Sequence, residues 1–128
     1  MNRKNIVQLP DAELDVMQIL WRHGTPVTAA EIYRDLQGIR PCTRPAAYIL
    51  IDRLAAKDFV RTENTEDGKT VTALVSEEDY GTFASESFVD KICRGSWKRL
   101  IANLVTAGKL SEKDLDEIAE ILNKRKEE

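Results

Sequence analysis

Residues 59–75 decide the fold of this chain, and they read FVRTENTEDGKTVTALV. β-branched residues stand on both sides of Asp67-Gly68, a pair that strongly favours a tight turn between two strands. No glycine- or serine-rich linker follows. The next residues, Ser76-Glu-Glu-Asp79, have the composition of a helix start. The stretch therefore predicts a two-stranded antiparallel ribbon that leads directly into a helix.

Two helices with clear boundary signals precede this ribbon. Apolar residues recur at helical spacing from Asp11 to His23, and Gly24 is placed to end that helix. Thr28 and Glu31 have the spacing of a capping box, in which two side chains satisfy backbone N–H groups at a helix start. Gly38 closes this second helix after about ten residues.

A third helix is predicted directly before the ribbon. Thr43 can cap it, and Pro45 falls in its first turn, where a missing N–H costs little. Its predicted buried face consists of Ala47, Leu50, Ile51 and Leu54. Its opposite face carries Arg44, Ala46, Tyr48, Ile49 and Asp52. Because large apolar side chains are unusual on a solvent-facing surface, we expect this face to contact another molecule.

The last third of the chain predicts helices with more apolar surface than they can bury among themselves. Helices are indicated from about Glu77 to Arg94, from Trp97 to Gly108, and from Ser111 into the charged tail. Apolar stripes of this size mark an interface, and a two-fold homodimer is the default arrangement. The alternative is that they pack back onto the first helices of the same chain. The predicted dimer interface consists of Phe83, Phe88, Trp97, Leu100, Ile101, Leu104, Leu115, Ile118 and Leu122.

The order of the elements predicts the fold class and the function. The class is mainly α (α+β): a winged helix-turn-helix with a two-stranded wing, followed by a helical dimerisation domain. We expect the DNA-binding domain at residues 1–75 and the dimerisation domain at residues 76–128. Two paired copies would set their recognition helices roughly 34 Å apart, one turn of DNA. The chain is therefore expected to be a homodimeric transcriptional repressor that binds a palindromic operator in double-stranded DNA.

The candidate DNA contacts lie at the start of the third helix and on the ribbon. Arg44 stands in the first helical turn, an end of the helix that also attracts phosphate. Lys69 at the ribbon tip and Arg61 on the incoming strand suit backbone contacts, the sequence-independent part of affinity. The complete predicted set is Arg40, Thr43, Arg44, Ala46, Tyr48, Ile49, Arg61 and Lys69.

The charge balance keeps a second hypothesis open. The net charge is −3, whereas many DNA-binding domains are strongly basic. Residues 1–75 carry 10 basic and 10 acidic side chains, and residues 76–128 carry 9 and 12, so the excess acidity lies outside the expected DNA-binding half. A neutral half with Tyr48 and Ile49 exposed would also suit a winged-helix module that binds a protein partner and no DNA.

The chain carries no pattern that indicates catalysis, a cofactor or a metal. His23 is the single histidine, and the chain lacks a nucleophile–base–acid arrangement, a glycine-rich phosphate loop and clustered metal ligands. Cys42 and Cys93 lack the spacing of metal ligands, so we expect free thiols. No segment approaches the roughly 20 apolar residues that span a bilayer, and no signal-peptide core follows the basic N-terminus. We expect a cytoplasmic protein that is not an enzyme and does not enter a membrane.

Several motifs of this chain resemble those of one family. The most specific is Asp11-Ala-Glu-Leu-Asp-Val-Met-Gln-Ile-Leu-Trp21, and Asp52-Arg53-Leu54, Gly68-Lys69 and Ser76-Glu-Glu-Asp-Tyr80 support it. From Leu9 to the charged tail, the chain is similar to the penicillinase and methicillin-resistance repressors and their copper-homeostasis relatives (BlaI/MecI/CopY). The resemblance implies a winged helix with a helical dimerisation domain and repression of target genes. In the antibiotic-resistance members it also implies cleavage triggered by a membrane sensor metalloprotease.

The chain also departs from that family's pattern. The recognition helix reads Pro45-Ala-Ala-Tyr-Ile49 where the family often has threonine-rich polar residues, so the family's operator sequence does not carry over. The cleaved Asn-Phe pair of the resistance repressors corresponds to Asn103 and Leu104, which keeps the Asn and not the Phe. A C-terminal Cys-x-Cys pair, which the copper repressors use, is absent.

Overall fold

The computed structural model describes residues 6–127, which form six helices and one three-stranded antiparallel sheet. The predicted basic start of the chain, residues 1–5, lies outside this range. The helices are α1 (Asp11–His23), α2 (Ala29–Leu36), α3 (Arg44–Ala56), α4 (Glu77–Ile92), α5 (Trp97–Thr106) and α6 (Glu112–Glu127). The strands are β1 (Val27–Thr28), β2 (Val60–Thr65) and β3 (Gly68–Ala73), in the order β1-β3-β2. The chain divides into two compact units, one up to Ala84 and one from Ser85 onward.

The predicted end of α1 and the predicted start of α2 are confirmed, whereas α2 has eight residues and ends at Leu36, two residues before Gly38, with Gln37 as its C-cap. α1 ends at Gly24, whose φ of +75° is open to glycine without steric cost. At the start of α2, the Thr28 hydroxyl accepts a hydrogen bond from the Glu31 N–H at 3.1 Å. The Glu31 carboxylate in turn accepts from the Thr28 N–H at 3.4 Å, which completes the capping box. The Thr28 hydroxyl also donates to the Glu31 carboxylate at 2.9 Å, and this bond and the one from the Thr28 N–H hold the pKa of Glu31 below its ordinary value, because both stabilise the ionised carboxylate.

The first unit is built around one apolar core to which α1, α2, α3 and the sheet all contribute. Each helix supplies residues three or four positions apart, so one face of each is buried. The largest fully buried side chains of this core are Phe59, Met17, Ile19, Leu20, Ile32, Leu36, Ile51 and Leu54. The core fixes which face of α3 points outward.

The sheet contains the predicted ribbon and one strand that the sequence did not predict. β2 and β3 pair from Val60↔Ala73 to Thr65↔Gly68, and Gly68 has a φ of +101° where β3 begins. β1 adds two residues to the other edge of β3, with Val27 opposite Val71. The expectation of a two-stranded sheet was therefore incomplete, because a two-residue strand is too short for an alternating pattern in the sequence.

The first unit extends nine residues beyond the predicted boundary at residue 75. The Tyr80 hydroxyl accepts a hydrogen bond from the Leu9 N–H at 2.9 Å, and its ring lies 5.8 Å from that of Phe59, edge to face. Trp21 donates its indole N–H to the Val75 carbonyl at 2.9 Å. Because Tyr80 is bound to this core, the first turns of α4 belong to the compact unit that contains the wing.

The second unit, described to residue 127, has well-defined helix starts and little buried surface. The Ser96 hydroxyl caps α5 by accepting from the Arg99 N–H at 3.2 Å. Ser111 and Asp114 cap α6 through reciprocal hydrogen bonds of 3.0 Å. α4 ends at Ile92, two residues earlier than predicted. Among residues 85–127, the fully buried side chains are those of Val89 and Cys93.

Candidate nucleic-acid interface

The start of α3 is fixed by local contacts. The Thr43 side chain accepts a hydrogen bond from the Ala46 N–H at 3.2 Å, and Pro45 lies in the first turn, as the sequence predicts. Thr43 therefore accepts one hydrogen bond as the cap, and its hydroxyl keeps its donor for a bound molecule. The helix N-terminus carries unsatisfied backbone N–H groups and a partial positive charge, which favour phosphate.

The outward face of α3 is the side opposite its buried residues. Ala47, Ile51 and Leu54 are fully buried, so the opposite positions of the helix face solvent. Ile49 stands near the centre of this outward face, with 49% of its surface exposed. The residues exposed along the face are Pro45, Ile49, Asp52, Arg53 and Ala56, with Ala46 and Tyr48 half-buried at its edges, and Arg44 is exposed at the helix start, three residues before the buried Ala47.

Two contacts orient side chains around the beginning of α3. The guanidinium carbon of Arg44 lies 5.0 Å from the centre of the Tyr33 ring, a cation–π arrangement that holds Arg44 beside α2. Arg40 donates to the Asp15 carboxylate at 3.0 Å, which ties the α2–α3 connection to α1. Arg44 is thus presented at the helix start, whereas the Arg40 charge is already paired.

The two predicted wing residues lie on opposite faces of the sheet. Lys69 is two residues from the buried Val71 and therefore on the same face, where its ammonium lies 3.1 Å from the Asp52 carboxylate of α3. Arg61 pairs with Thr72, the neighbour of Val71, so it lies on the other face. The structure brings Lys69 to the recognition helix and does not bring Arg61 there.

The structure adds two residues that the predicted set lacked. Asp52 and Arg53 are exposed on α3, one turn after Ile49, on the same outward side. The sequence had placed Asp52 on this face without counting it as a DNA contact, and the four-residue spacing of Arg53 from Ile49 is the helical signal that could have placed Arg53 there as well. The resulting surface contains Arg44, Ile49, Asp52, Arg53 and Lys69, and we call it the α3 surface.

The second unit exposes most of the residues that the sequence assigned to a dimer interface. Phe88, Trp97, Ile101, Leu115 and Leu122 are exposed, and Leu100, Leu104 and Ile118 are half-buried. Ile92, Val105 and Ile121 are also exposed and were not in the predicted set. Phe83 differs from the others, because it belongs to the first unit and packs beside Tyr80, with ring centres 6.0 Å apart.

An apolar groove of about 570 Å³ lies on this second unit. Its walls come from α5 and α6, and they consist of Trp97, Lys98, Ile101, Ala102, Ile118 and Leu122. We call the exposed apolar residues of α5 and α6, together with this groove, the α5–α6 surface. An apolar surface of this kind is stable in water when it is covered by a further molecule.

The remaining predicted residues are placed as follows. Asn103 is exposed and Leu104 half-buried in the middle of α5, so the bond between them lies within a helix. Cys42 is half-buried and Cys93 is buried, and both are free thiols. In the described part of the chain, no group of three or more His, Cys, Asp or Glu side chains could hold a metal ion. None of the helices among residues 6–127 is long and apolar enough to cross a membrane.

A three-helix core with a β-hairpin beside an outward recognition helix defines the winged-helix class of DNA-binding proteins. Residues 9–124 match the model of the penicillinase repressor family. The chain therefore belongs to the penicillinase repressor family, as the first helix and the other motifs predicted.

Individual relatives agree with this assignment over nearly the whole length. The penicillinase repressor of Staphylococcus aureus is 28% identical over 117 residues, which cover 91% of this chain and 92% of that protein. The methicillin resistance regulatory protein MecI of Mammaliicoccus sciuri is 29% identical over 118 residues, covering 92% and 95%. The solution structure of monomeric Bacillus licheniformis BlaI in complex with the blaP half-operator is 25% identical, with a TM-score of 0.51. That similarity covers 59% of this chain and 90% of the BlaI chain.

Proposed function

We propose that this chain is a homodimeric transcriptional repressor that binds a palindromic operator through its α3 surface. The observation that carries the proposal is the outward face of α3, which presents Arg44 at the helix N-terminus and has Lys69 of the wing beside it. The Arg44 guanidinium can approach phosphate from the helix start, while the Lys69 ammonium is paired with Asp52 and the exposed turn of Ile49 and Asp52 faces base edges. A relative with this fold is described in complex with a half-operator, which supports the same use of the surface here.

The first 75 residues carry no net charge, and this is compatible with DNA binding because several of their acidic side chains form ion pairs away from the outward face of α3. Glu13 is buried and paired with Lys57, Asp15 is paired with Arg40, and Asp35 with His23. These carboxylates lie in contacts among α1, α2 and the end of α3, away from the outward face of α3. The local charge of the α3 surface, and not the net charge, governs attraction to phosphate.

The dimer is proposed to form through the α5–α6 surface. Residues 85–127 bury two side chains fully, whereas eight large apolar residues of that range remain exposed: Phe88, Ile92, Trp97, Ile101, Val105, Leu115, Ile121 and Leu122. A second copy would cover this surface with an identical one, as a two-fold interface requires. The pair would then carry two α3 surfaces to half-sites related by the same symmetry.

The test is footprinting of DNA upstream of the chain's own and neighbouring genes, followed by affinity measurements in a salt titration. We expect a protected palindrome and an affinity that falls steeply as salt rises. Arg44→Ala should weaken binding to operator and random DNA by similar factors and lower the salt slope by about one. Arg61→Ala is the matched control, because Arg61 is exposed on the other face of the sheet. No protection at any salt, from a folded dimer, would refute the proposal.

A protein-interaction module is the second candidate, and the exposure of Ile49 favours it. An isoleucine that is 49% exposed on an outward helix face also suits an apolar partner. If this candidate is right, Arg44→Ala combined with Lys69→Ala leaves partner binding nearly unchanged, whereas Ile49→Ala abolishes it. A repressor shows the reverse order of effects on operator binding.

Derepression is proposed to follow cleavage of the Asn103–Leu104 bond by a sensor metalloprotease, with the repressor itself acting in the cytoplasm. Because the bond lies within α5, a protease would gain access when this helix opens locally. Cleavage would break α5 and thereby disrupt the α5–α6 surface, and the dimer would dissociate. Limited proteolysis with mass spectrometry tests this: a first cut elsewhere, with the Asn103–Leu104 bond intact in induced cells, would refute it.

A further inference from the structure

Asp52 places a carboxylate on the surface that is proposed to meet DNA. It follows Ile49 by three residues on the outward side of α3, and its side chain is 65% exposed. Phosphates repel this charge, so it opposes the electrostatic attraction that supplies most binding to any DNA sequence. The α3 surface would therefore bind DNA of any sequence more tightly without Asp52.

Lys69 orients this carboxylate. Its ammonium on β3 lies 3.1 Å from Asp52 Oδ1, and the Lys69 side chain is 30% exposed. The contact ties the wing to the recognition helix and restricts the positions that the carboxylate can take. An ionised carboxylate has about four lone-pair sites, so Asp52 can accept further hydrogen bonds while it remains paired.

The chemistry of a carboxylate limits which bases it can read. It accepts hydrogen bonds and donates none, and in the major groove the donors are the amino groups of cytosine and adenine. Adenine presents its N7 acceptor beside the amino group, and that lone pair repels a carboxylate. Guanine and the O4 of thymine present acceptors as well. Cytosine is therefore the base edge that suits Asp52 best.

Resting on the proposed function, we propose that Asp52 is a specificity-determining residue that accepts a hydrogen bond from the amino group of a cytosine in each half-operator. The same carboxylate weakens binding to other DNA, because there its repulsion from phosphate is offset only in part, by Lys69, and no cytosine amino group donates to it. Asp52 thus lowers the affinity for random DNA and raises the ratio of operator affinity to random-DNA affinity.

The experiment compares the wild-type chain with Asp52→Asn on the footprinted operator and on random duplex of equal length, across a salt series. Asn keeps the shape and removes the charge. We expect Asp52→Asn to bind random DNA several-fold more tightly and to lose about tenfold in the operator-to-random ratio. In selection from a randomised operator, the wild type should enrich cytosine at one position of each half-site, and Asp52→Asn should lose that enrichment.

Asp58→Asn is the matched control. It makes the same change of charge at an exposed residue beyond the other end of α3, where a φ of +62° suits Asn. It should leave the ratio and the selected bases as they are in the wild type. Equal thermal midpoints of both variants and the wild type would show that the fold is intact.

Two further results separate this inference from the proposed function. If the wild type prefers its operator and Asp52→Asn keeps the same ratio and the same base preference, the inference is overturned and the proposed function stands. If the wild type binds its footprint candidates no better than random DNA, the proposed function fails and the role of Asp52 fails with it.

Discussion

The two compact units of this chain differ in how much of their apolar surface they bury. Up to Ala84, α1, α2, α3 and the sheet enclose a core whose largest side chains are fully buried. From Ser85 to residue 127, helices with equally clear caps leave Trp97, Ile101 and Leu122 exposed. Good local signals therefore specify helices in both units, but only in the first do these helices have surfaces to cover within the chain. The difference supports the proposal that a second copy covers the apolar surface of the second unit.

The largest expected effect comes from removing a core side chain of the first unit. Phe59 is fully buried and packs edge to face against Tyr80. Phe59→Ala should lower the free energy of unfolding by about 3–5 kcal/mol, because it removes apolar contacts and leaves a cavity. Chemical denaturation measures this loss, which should not depend on protein concentration. Ile49→Ala is the control, since Ile49 is 49% exposed on the same unit; an equal loss there would contradict the assignment of this stability to the buried core.

The next effect concerns the α5–α6 surface. Trp97 lines the apolar groove and is 55% exposed, so a second copy would bury it. Trp97→Ala should raise the dimer Kd by about thirtyfold, the effect of losing an interface residue worth about 2 kcal/mol. Sedimentation equilibrium measures this Kd. Ile49→Ala removes a comparably exposed apolar residue from the first unit and should leave the Kd unchanged. A wild-type chain that is monomeric at all concentrations would refute the dimer.

A smaller effect is expected from the caps, which both units share. Thr28→Ala removes the capping box of α2 and should cost about 1 kcal/mol of unfolding free energy. Because the first unit has its own core, this loss should be the same in dilute and concentrated protein. Ser111→Ala removes the corresponding contact of α6, and its effect should vary with concentration. Thermal melts at two concentrations compare the variants, and concentration dependence in Thr28→Ala would count against a self-contained first unit.

The smallest effect is the pH dependence of a contact between α1 and α2. The hydrogen bond with His23 holds the pKa of Asp35 below its ordinary value. A lowered folded-state pKa contributes stability above the ordinary carboxyl range, and this contribution is lost as the pH falls through the lowered value. The stability difference between wild type and Asp35→Asn should therefore be present at neutral pH and vanish in acid. Solvent exposure keeps it small. Denaturation across a pH series measures it, with Asp116→Asn of α6 as the control.

Much of the fold could be predicted because its signals are local. The capping box at Thr28, the proline in the first turn of α3 and the turn before Gly68 each act within four residues along the chain. The two-residue strand β1 could not be predicted in this way, since it exists through pairing with β3, more than forty residues later. The first unit also ends later than residue 75, the predicted boundary, because Tyr80 is held by partners as distant in sequence as Leu9.

The candidate site also has features that the local sequence predicts and features that depend on tertiary contacts. The amphipathic pattern of α3 alone placed Ile49 and Asp52 on its outward side, since helical periodicity assigns faces without reference to the rest of the fold. Tyr48, which the pattern also placed there, is half-buried and packs against the core. The pairing of Lys69 with Asp52, the engagement of Arg40 by Asp15 and the separation of Arg61 from α3 depended on tertiary structure. The two contacts join residues 17 and 25 positions apart, and the side of the sheet on which Arg61 lies depends on strand register, so the chain must fold before these distances and faces exist.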